Sequence, residues 1–594
     1  MATSVSASEE RAAVAGRYDL ARALTILLIV VVTGLVIGLL LLPHSWHAEI
    51  GTGQRAIWQD IPLAPIFICA GLLRPALATR RPRERTMGPA AALALAVAAI
   101  IVIGLIGRAL IFHNHDVSRD EQMAVFDQQI FAHGRLFWPI PTDWRAMADA
   151  LNRRFMLPIG SNEYWVSGYL PMHSAYRALL GFVGLANLAS AIMTAIAAVA
   201  LWAIARRLWP QSSRAVILSL VLFVTSSQVL IMSTTAFSMS MHLALNLVWL
   251  ALFLKDRKWS HLIAVLVAFV ATGIHQPLFH PLFALPFIAL VAFERRWRLL
   301  AFYVASYGLI GLFWLAWPVW IVSHGVGPVM AINCGPAGNC SSPPGFVARL
   351  LGAVTAFNVT HVWLTAANVL RFVCWQHPLL VPLALFGTMS CWRSEPLVKA
   401  LAVSFLLPVI VMAIILPWQG QGWGYRYVHQ VLGNAILLGV YGFNRLEASG
   451  LTLRRPMILS TIMAVILVPI HGWMAARAAA PFVEIHDELA LIPADVVIVD
   501  TDKVPFGQDV VFNAFDLSNR PKLLIAALLK PEDLASICKR STIAFFDGPR
   551  LAPIGTVFHW PAPRAPSPEI MRLHEAAQAS RCTIVEAQAS PAGN

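Results

Sequence analysis

The stretch "HNHDVSRDEQ", residues 113–122, concentrates ionisable side chains directly after a membrane-length apolar run. Asp120 and Glu121 are adjacent carboxylates, and adjacent side chains point in different directions on any regular backbone. One of them could face a cavity as a general base or as a ligand of Mg²⁺ or Mn²⁺, while Arg119 or Arg135 holds the other. The alternative is a solvated loop whose charges lie at the amino terminus of a helix.

A second group of polar side chains interrupts an otherwise apolar hairpin at "GIHQPLFHP", which contains His275, Gln276 and His280. A histidine in a membrane segment is more often a hydrogen-bonded packing residue than a ligand. Two histidines beside a glutamine also fit an anion-binding group, so both interpretations stay open.

A third group lies in "PWQGQGWGYRYVHQ", where Arg426 stands between Tyr425 and Tyr427. An arginine beside aromatic residues at a membrane interface commonly contacts lipid headgroups. The nearby glycines also permit close approach of the backbone. The arginine is therefore equally a candidate for stabilising a negatively charged group of a substrate.

The elements that position these groups are predicted from composition, because 58% of the 594 residues are hydrophobic and only 13% are charged. Such values exclude an ordinary soluble domain and indicate a polytopic membrane protein. A membrane span needs about 20 mostly apolar residues, and about 13 segments meet this condition. The predicted spans lie near 20–42, 60–78, 88–112, 183–205, 215–232, 236–254, 259–274, 277–293, 299–322, 377–392, 398–417, 427–444 and 456–475.

Arginine and lysine cluster on every second connection between these spans, which is the distribution of cytoplasmic loops. The clusters are Arg11/Arg17/Arg22, Arg74/Arg80/Arg81/Arg83/Arg85, Arg206/Arg207/Arg214, Lys255/Arg257/Lys258, Arg295/Arg296/Arg298, Arg393/Lys399 and Arg445/Arg454/Arg455. The net charge of +13 therefore reflects topology, and a nucleic-acid partner is not expected. The amino terminus is predicted to be cytoplasmic and the tail to lie outside. Arginine-rich usage suggests a bacterium, hence an inner-membrane protein with a periplasmic tail.

Three regions are predicted along the chain. Residues 1–86 form the cytoplasmic amino terminus and two additional spans, and the first span is expected to stay as an anchor. Residues 87–477 form the membrane core, with large outer loops at 113–168 and 323–377, the second containing interfacial helices. Residues 478–594 form a small α/β domain, in which "ADVVIVD" and "STIAFFD" are predicted strands and "KLLIAALL" and "PEDLASICKR" predicted helices.

Four cysteines fall on predicted outer segments, namely Cys334 and Cys340 in one loop and Cys538 and Cys582 in the tail. An oxidising compartment permits disulfide bonds there, and we expect them in preference to a metal site because no further His or Cys pair accompanies the loop cysteines.

The arrangement resembles the C-type glycosyltransferases (GT-C), including bacterial members related to protein mannosyltransferases and the aminoarabinose transferase that modifies lipid A. The resemblance covers roughly 90–445. It rests on the acidic pair in the first outer loop, on "GYLPMHSAYRALLG" leading back into the membrane, and on the late outer "GYRY". Relatives often have a Pro-Pro-Tyr-like segment where this chain has "GYLPMHSAY", which retains only Pro171.

The resemblance implies transfer of a sugar from a polyprenyl-phosphate carrier to a glycan, lipid or protein acceptor, with expected inversion at the anomeric carbon. Asp120 is the predicted base, and Arg426, flanked by Tyr425 and Tyr427, is predicted to bind the donor phosphate. The remaining predicted roles are phosphate binding for His275 and His280, cation or acceptor binding for Glu121 and Glu163, and acceptor or loop support for Arg119, Asp116 and Gln276.

Three other functions stay open at this stage. A lipid-carrier flippase or transporter would have charged or broken helices near the bilayer midplane, whereas the unusual polar groups here gather at one face. A polymerase or ligase of the O-antigen type would use the same carrier at the same face. A structural anchor for the tail needs far fewer spans.

Overall fold

A computed structural model of the chain describes residues 29, 32–41, 52–73, 76–77, 87–152, 155–157, 162–325, 333–334, 340–341, 346–417, 419–561 and 563–586. Most of this part is helical. It contains five helices long and apolar enough to cross a membrane: Pro89–Phe112, Ala186–Leu208, Trp297–Ser323, Pro396–Ile415 and Arg454–Leu491. Shorter apolar helices are Ser213–Val224, Met239–Lys255, Lys258–Thr272, Phe279–Phe293, Val359–Cys374 and Leu380–Cys391. The predicted class, a helical membrane protein, is confirmed.

Two predicted spans are interrupted in the structure. The span at 60–78 is replaced by a π-helical turn at Ala56–Asp60, a 3-10 turn at Ile61–Leu63 and a short α-helix at Ala64–Gly71. Pro62 in the 3-10 turn and Pro65 in the first turn of the short α-helix lack the backbone N–H that regular α-helical hydrogen bonding requires. The span at 215–232 divides at Ser226, whose side chain caps a second short helix, Ser227–Met232. Most of the predicted span 20–42 lies outside the described residues.

The chain forms two compact units. The first comprises Met1–Gly107, Ser190–Leu312 and Leu350–Trp473. Within it, the helices Leu380–Cys391 and Leu432–Ala448 cross where two glycines meet. A Cβ atom at Gly387 would lie 2.1 Å from the carbonyl oxygen of Leu438, and one at Gly442 would lie 2.1 Å from that of Leu383. Only glycine allows the two helix backbones to approach so closely.

The second unit comprises Arg108–Ala189, Phe313–Arg349 and Met474–Asn594. It contains a three-stranded parallel sheet with Val496–Val499 at the centre, flanked by Lys522–Ile525 and Ile543–Phe546. The remaining short helices of the tail are Pro531–Ile537, Ala552–Val557 and Pro568–Ala579.

The prediction of a helix over "KLLIAALL" is wrong, because its first half, Lys522–Ile525, is a strand and Ala526–Leu528 forms only a 3-10 turn. A short continuous apolar run is compatible with either a buried helix or a strand of a parallel sheet. Here pairing with the buried central strand decides between them.

The tail shares its hydrophobic core with the first large outer loop. Met123, Phe126 and Ile130 of the helix Arg119–Ala132 belong to the same buried cluster as Val496 and Leu524 of the sheet. Two further loop helices, Ala148–Asn152 and Met172–Gly181, also belong to this unit. The tail is therefore built onto the loop that contains the acidic pair.

Cys538 and Cys582 form a disulfide bond with 5.0 Å between their Cα atoms, as predicted. The backbones of Cys334 and Cys340 pair in two short antiparallel strands, and the side chains of their predicted disulfide lie outside the described part of the chain. The segment predicted to contain interfacial helices includes the helices Phe346–Thr355 and Val359–Cys374.

Candidate functional site

The helix Arg119–Ala132, called the acidic helix below, begins with a capping box. The hydroxyl of Ser118 accepts a hydrogen bond from the backbone N–H of Glu121 at 3.4 Å. In return, Glu121 Oε2 accepts hydrogen bonds from the backbone N–H and the hydroxyl of Ser118, at 3.3 and 3.0 Å. Glu121 is buried. Its carboxylate satisfies amide groups that a helix start leaves free, so this residue has a defined structural role.

Asp120 has different surroundings. It is half-buried, and its Oδ1 accepts a hydrogen bond from the hydroxyl of Tyr169. Tyr169 belongs to the "GYLPMHSAY" segment and stacks on Phe155, with ring centroids 5.1 Å apart. The segment that leads back towards the membrane thus brings a hydroxyl donor to the carboxylate, and this hydrogen bond orients the Asp120 side chain.

The first turn of the acidic helix is attached to the tail. Arg119 Nη2 donates hydrogen bonds to the carbonyl oxygens of Gln508 at 2.6 Å and Val511 at 2.7 Å. Gln122 Nε2 donates to the carbonyl oxygen of Asp509 at 2.8 Å. The structure therefore places Arg119 as a support between loop and tail.

The other acidic candidates of this loop form ion pairs. Asp116 accepts a hydrogen bond from Arg108 at 3.0 Å, and both side chains are mostly buried. Glu163 lies 3.7 Å from Arg145, with both side chains partly exposed, a type of pair that contributes little to stability. Arg135, a predicted partner of the acidic pair, lies over the ring of Trp138 at 4.8 Å.

Two buried charged residues of this unit were not singled out from the sequence. Asp127 lies seven positions after Asp120, hence on the same side of the acidic helix. Burial raises the pKa of Asp127 to about 7, while a hydrogen bond with Ser167 acts in the opposite direction. Burial lowers the pKa of Arg177 to about 10, and its Nε donates to Gln128 Oε1 at 3.0 Å. Asp127 lies outside the segments quoted in the sequence analysis, whereas Arg177 lies within "GYLPMHSAYRALLG" and could have been considered there as the one charged residue of that segment.

The acidic pair was also predicted to bind a divalent cation. Within the described residues, neither Asp120 nor Glu121 belongs to a group of three His, Cys, Asp or Glu ligands. Glu121 is engaged in the capping box. Mg²⁺ is commonly held by one or two carboxylates together with waters and substrate phosphates, so a metal role for Asp120 stays a prediction.

In the first unit, Arg426 is buried with 8% of its surface exposed. Its guanidinium carbon lies 5.1 Å from the ring centroid of Tyr427 and 5.3 Å from that of Phe237. Its backbone N–H donates to Gln419 Oε1 at 2.8 Å. A headgroup anchor extends its charge into water. Burial therefore favours the alternative in which Arg426 binds an anion inside the protein.

The glycines beside Arg426 allow other side chains to approach the backbone closely, as the sequence predicted. A Cβ atom at Gly422, where φ is +148°, would lie 2.8 Å from Arg426 Cδ, and one at Gly424, where φ is +64°, would lie 2.5 Å from Gln228 Oε1. Gln228 Nε2 donates to the carbonyl oxygen of Tyr425 at 2.9 Å. Side chains from distant segments thus hold the "GYRY" turn.

Arg55 is a second buried arginine in this unit, with 4% of its surface exposed. Its Nη1 donates to the carbonyl oxygen of Gly422 at 2.8 Å, and its guanidinium carbon lies 5.3 Å from the ring centroid of Trp423. It therefore contacts the same glycine-rich turn that leads to Arg426.

Arg371 is fully buried, and its Nε lies 3.7 Å from Oδ2 of the equally buried Asp60. Among the described residues, none of its three guanidinium nitrogens has a hydrogen-bond partner. Asp60 Oδ1 accepts a hydrogen bond from Trp375 Nε1 at 2.9 Å. An unsatisfied buried guanidinium is costly, and such a group commonly marks a place where a ligand supplies the missing acceptors.

Arg55, Arg371 and Arg426 are called the arginine cluster below. Arg55 is within electrostatic range of both other arginines and of Asp60. Three arginines and one aspartate carry a net charge of +2. Buried charge in a membrane unit is expensive unless it is compensated, so this cluster suits a ligand that carries one or two negative charges.

The histidines at "GIHQPLFHP" are placed differently from the phosphate-binding prediction. His280 is fully buried, and its two ring nitrogens contact Asn246 Oδ1 at 2.7 Å and the hydroxyl of Tyr307 at 2.9 Å. This favours the hydrogen-bonded packing role for His280. His275 and Gln276 are half-buried in the turn between two helices.

One sequence signal could have identified Arg55 and Arg371. Both lie on connections predicted to be outside, where the positive-inside distribution leaves few basic residues. An arginine that departs from this distribution in a membrane protein is a candidate for a specific role. In the structure, Arg371 is buried beside Asp60 and Arg55 is buried beside the turn that leads to "GYRY".

No family model and no curated protein matches this chain. Among solved structures, it is similar to crystal structures of ArnT from Cupriavidus metallidurans in the apo state and bound to undecaprenyl phosphate. The two matches have 14% and 13% identity, cover 84% and 83% of this chain and 89% of each ArnT chain, and have a TM-score of 0.41. At this level of similarity, function has to be argued from the residues of this chain.

Proposed function

We propose that this protein is an inner-membrane glycosyltransferase that moves a sugar from a polyprenyl-phosphate carrier to an acceptor on the periplasmic face. The observation that carries the proposal is the arginine cluster, whose three guanidinium groups are buried with Asp60 as the counter-charge. A membrane protein tolerates such an excess of positive charge where it binds an anion. All three arginines belong to connections that charge distribution predicts to be outside.

The phosphate of a lipid-linked sugar supplies negative charge and hydrogen-bond acceptors to the arginine cluster. Guanidinium groups donate paired, charge-assisted hydrogen bonds to phosphate oxygens, and in the described part of the chain the three guanidinium nitrogens of Arg371 have no hydrogen-bond partner. When the bond between the anomeric carbon and the phosphate oxygen breaks, its electron pair passes to that oxygen. The same arginines then stabilise the charge that develops on the leaving phosphate.

The acceptor side of the reaction is assigned to Asp120. The acceptor hydroxyl attacks the anomeric carbon and its proton passes to the Asp120 carboxylate, which the hydroxyl of Tyr169 keeps oriented. Attack from the face opposite the phosphate inverts the anomeric centre. Glycan, lipid and protein acceptors all satisfy this chemistry. A divalent cation such as Mg²⁺ or Mn²⁺, if bound, would supply further positive charge for the phosphate.

A turnover assay tests the proposal. Full-length protein in nanodiscs is offered a panel of polyprenyl-phosphate sugars with protein, lipid and glycan acceptors, and the release of free polyprenyl phosphate is followed with and without EDTA. We expect release with one donor, and loss of release in Asp120→Asn without loss of donor binding. Normal turnover by Asp120→Asn would remove this residue from the mechanism.

A binding assay tests the arginine cluster separately. Losing one charge-assisted hydrogen bond costs about 1.5–3 kcal/mol, so Arg371→Gln and Arg55→Gln should weaken binding of undecaprenyl phosphate about 10- to 150-fold. Arg206→Gln is the matched control, because Arg206 also lies over a tryptophan ring, at 5.2 Å from the centroid, but belongs to a predicted cytoplasmic cluster. Equal affinities in all variants would refute the phosphate assignment.

The two assays also separate the other functions. Donor binding that depends on the arginine cluster, without sugar transfer and with movement of the carrier across vesicle membranes, would identify a flippase. If glycans linked to polyprenyl diphosphate are added to the panel, release of polyprenyl diphosphate with lengthening of a glycan would identify a polymerase.

A further inference from the structure

We propose that His115, His486 and Asp487 form a binding site for a divalent transition metal of the zinc class. His115 lies in the turn after the apolar helix Pro89–Phe112. His486 and Asp487 lie near the end of the helix Arg454–Leu491. All three residues belong to the second unit, and none is used by the proposed transfer reaction, so this inference does not depend on it.

The three side chains bring their possible ligand atoms within 4.8 Å of one another. His115 Nε2 lies 3.3 Å from Asp487 Oδ1, and His486 Nδ1 lies 4.0 Å from the same oxygen. In a tetrahedral zinc site, metal–ligand bonds of about 2.0–2.2 Å place the ligand atoms about 3.3–3.6 Å apart. Inward movements of about 1 Å by partly exposed side chains would therefore complete the site.

The His115 ring is already oriented for metal binding. Its Nδ1 lies 2.9 Å from the carbonyl oxygen of His113. A hydrogen bond to a carbonyl oxygen fixes the proton on Nδ1 and leaves the lone pair of Nε2 for a metal, which is the usual arrangement of metal-binding histidines. His113 and Asn114 have φ values of 47° and 62°, and Arg108 donates to the carbonyl oxygen of Asn114 at 3.3 Å, so the turn has a defined conformation.

The second histidine supplies an independent observation. Among the described residues, His486 Nδ1 is buried and has no hydrogen-bond partner. The rings of His115 and His486 are 5.0 Å apart at an angle of 73°, so the two rings do not stack face to face. A metal ion between them would satisfy this nitrogen, which a simple ion pair with Asp487 at 4.0 Å leaves unsatisfied.

The ligand set selects the kind of ion. Two imidazole nitrogens and one carboxylate oxygen suit Zn²⁺, Co²⁺ or Ni²⁺, whereas Mg²⁺ and Ca²⁺ prefer oxygen ligands throughout. Three protein ligands leave one position for water or another ligand. Because His115 is only three residues before the helix cap Ser118, a bound ion would hold the approach to the acidic helix against the end of the helix Arg454–Leu491.

Metal content of the full-length protein without a histidine tag tests the site. The protein is purified in detergent, treated with EDTA, incubated with Zn²⁺ and dialysed, and zinc is measured by mass spectrometry. We expect about one zinc per chain, as a single three-ligand site requires. Replacement by Co²⁺ should give the visible absorption of a tetrahedral site.

His115→Ala and Asp487→Asn should each weaken zinc binding at least about tenfold, the smallest effect expected for loss of a direct ligand. His113→Asn is the matched control, because it removes a neighbouring exposed imidazole and Asn tolerates the left-handed conformation of that residue. No zinc on the wild-type protein, unchanged binding in both ligand variants, or an equal loss in His113→Asn would overturn the proposal. Zinc content is read independently of sugar transfer, so failure of one proposal is distinguishable from failure of the other.

Discussion

Replacing Asp127 with asparagine tests how the acidic helix is embedded in the second unit. The Asp127 side chain is buried, and burial raises its pKa from 3.8 to about 7, against the opposing effect of a hydrogen bond with Ser167. Asparagine has nearly the same size and cannot ionise. The substitution therefore removes the charge while keeping the volume, so that its effect on stability should depend on pH.

The direction in which stability changes with pH follows from proton binding to Asp127. Between pH 3.8 and about 7 the folded protein binds the Asp127 proton more tightly than the unfolded chain does, so stability contributed by the neutral carboxyl group is lost as pH rises through the folded pKa. A pKa difference of this size corresponds to about 4 kcal/mol at 1.36 kcal/mol per pH unit. The Asp127→Asn variant does not lose this stability as the pH rises, because asparagine does not ionise. Between pH 5 and pH 8, wild type loses stability only up to about pH 7, so the variant should gain about 3 kcal/mol relative to wild type over this range.

The measurement is the thermal unfolding of full-length protein in detergent from pH 5 to pH 9, at one scan rate. A change of 1 kcal/mol shifts Tm by about 2–4 °C in a domain of this size. Asp149→Asn is the control, since Asp149 is exposed in the same unit. A Tm difference between Asp127→Asn and wild type that stays constant across this range, or that falls as pH rises, would refute the reasoning.

Three further predictions concern the same unit. Tyr169→Phe should lower kcat about 10- to 150-fold with little change in KM, because it removes a hydrogen bond of about 1.5–3 kcal/mol to the Asp120 carboxylate; steady-state kinetics that show an unchanged kcat would contradict the orienting role. Ser118→Ala should lower stability by about 1 kcal/mol through loss of the helix cap, measured as a shift in Tm, and Ser118→Asp should restore most of it. Replacing Cys538 and Cys582 with alanine should cost about 4 kcal/mol, since the disulfide closes a loop whose ends are 44 residues apart; limited proteolysis of the tail that is as slow as in wild type would contradict this value.

Local patterns predicted much of the membrane part. The predicted span 88–112 corresponds to the helix Pro89–Phe112, and 299–322 lies within Trp297–Ser323. These predictions succeed because helix formation and membrane burial both depend on hydropathy over about 20 consecutive residues. The same approach did not predict the change from π to 3-10 to α geometry over Ala56–Gly71 or the strand Ala76–Leu77. It also failed at Lys522–Ile525, where pairing with another strand decided the conformation.

Candidate site residues could be selected from the sequence where their immediate neighbours were unusual. Asp120 and Arg426 were selected because unusual polar residues stood beside apolar or aromatic ones. The partners that decide their roles could not be selected in this way. Tyr169, which donates to Asp120, lies 49 positions away from it. Asp60, the counter-charge of the arginine cluster, accepts a hydrogen bond from Trp375, which lies 315 positions away.

The sequence by itself determined that the chain is a helical membrane protein, which connections carry basic clusters, and that carboxylates and an arginine lie at membrane boundaries. These properties depend on neighbouring residues and on composition. Only the tertiary structure showed that Glu121 caps a helix, that the ring of His280 is hydrogen-bonded to Asn246 and Tyr307, and that Arg55 and Arg371 are buried with Asp60. Such roles depend on which distant segments pack together, and contacts of this kind cannot be predicted from hydropathy and residue spacing along the chain.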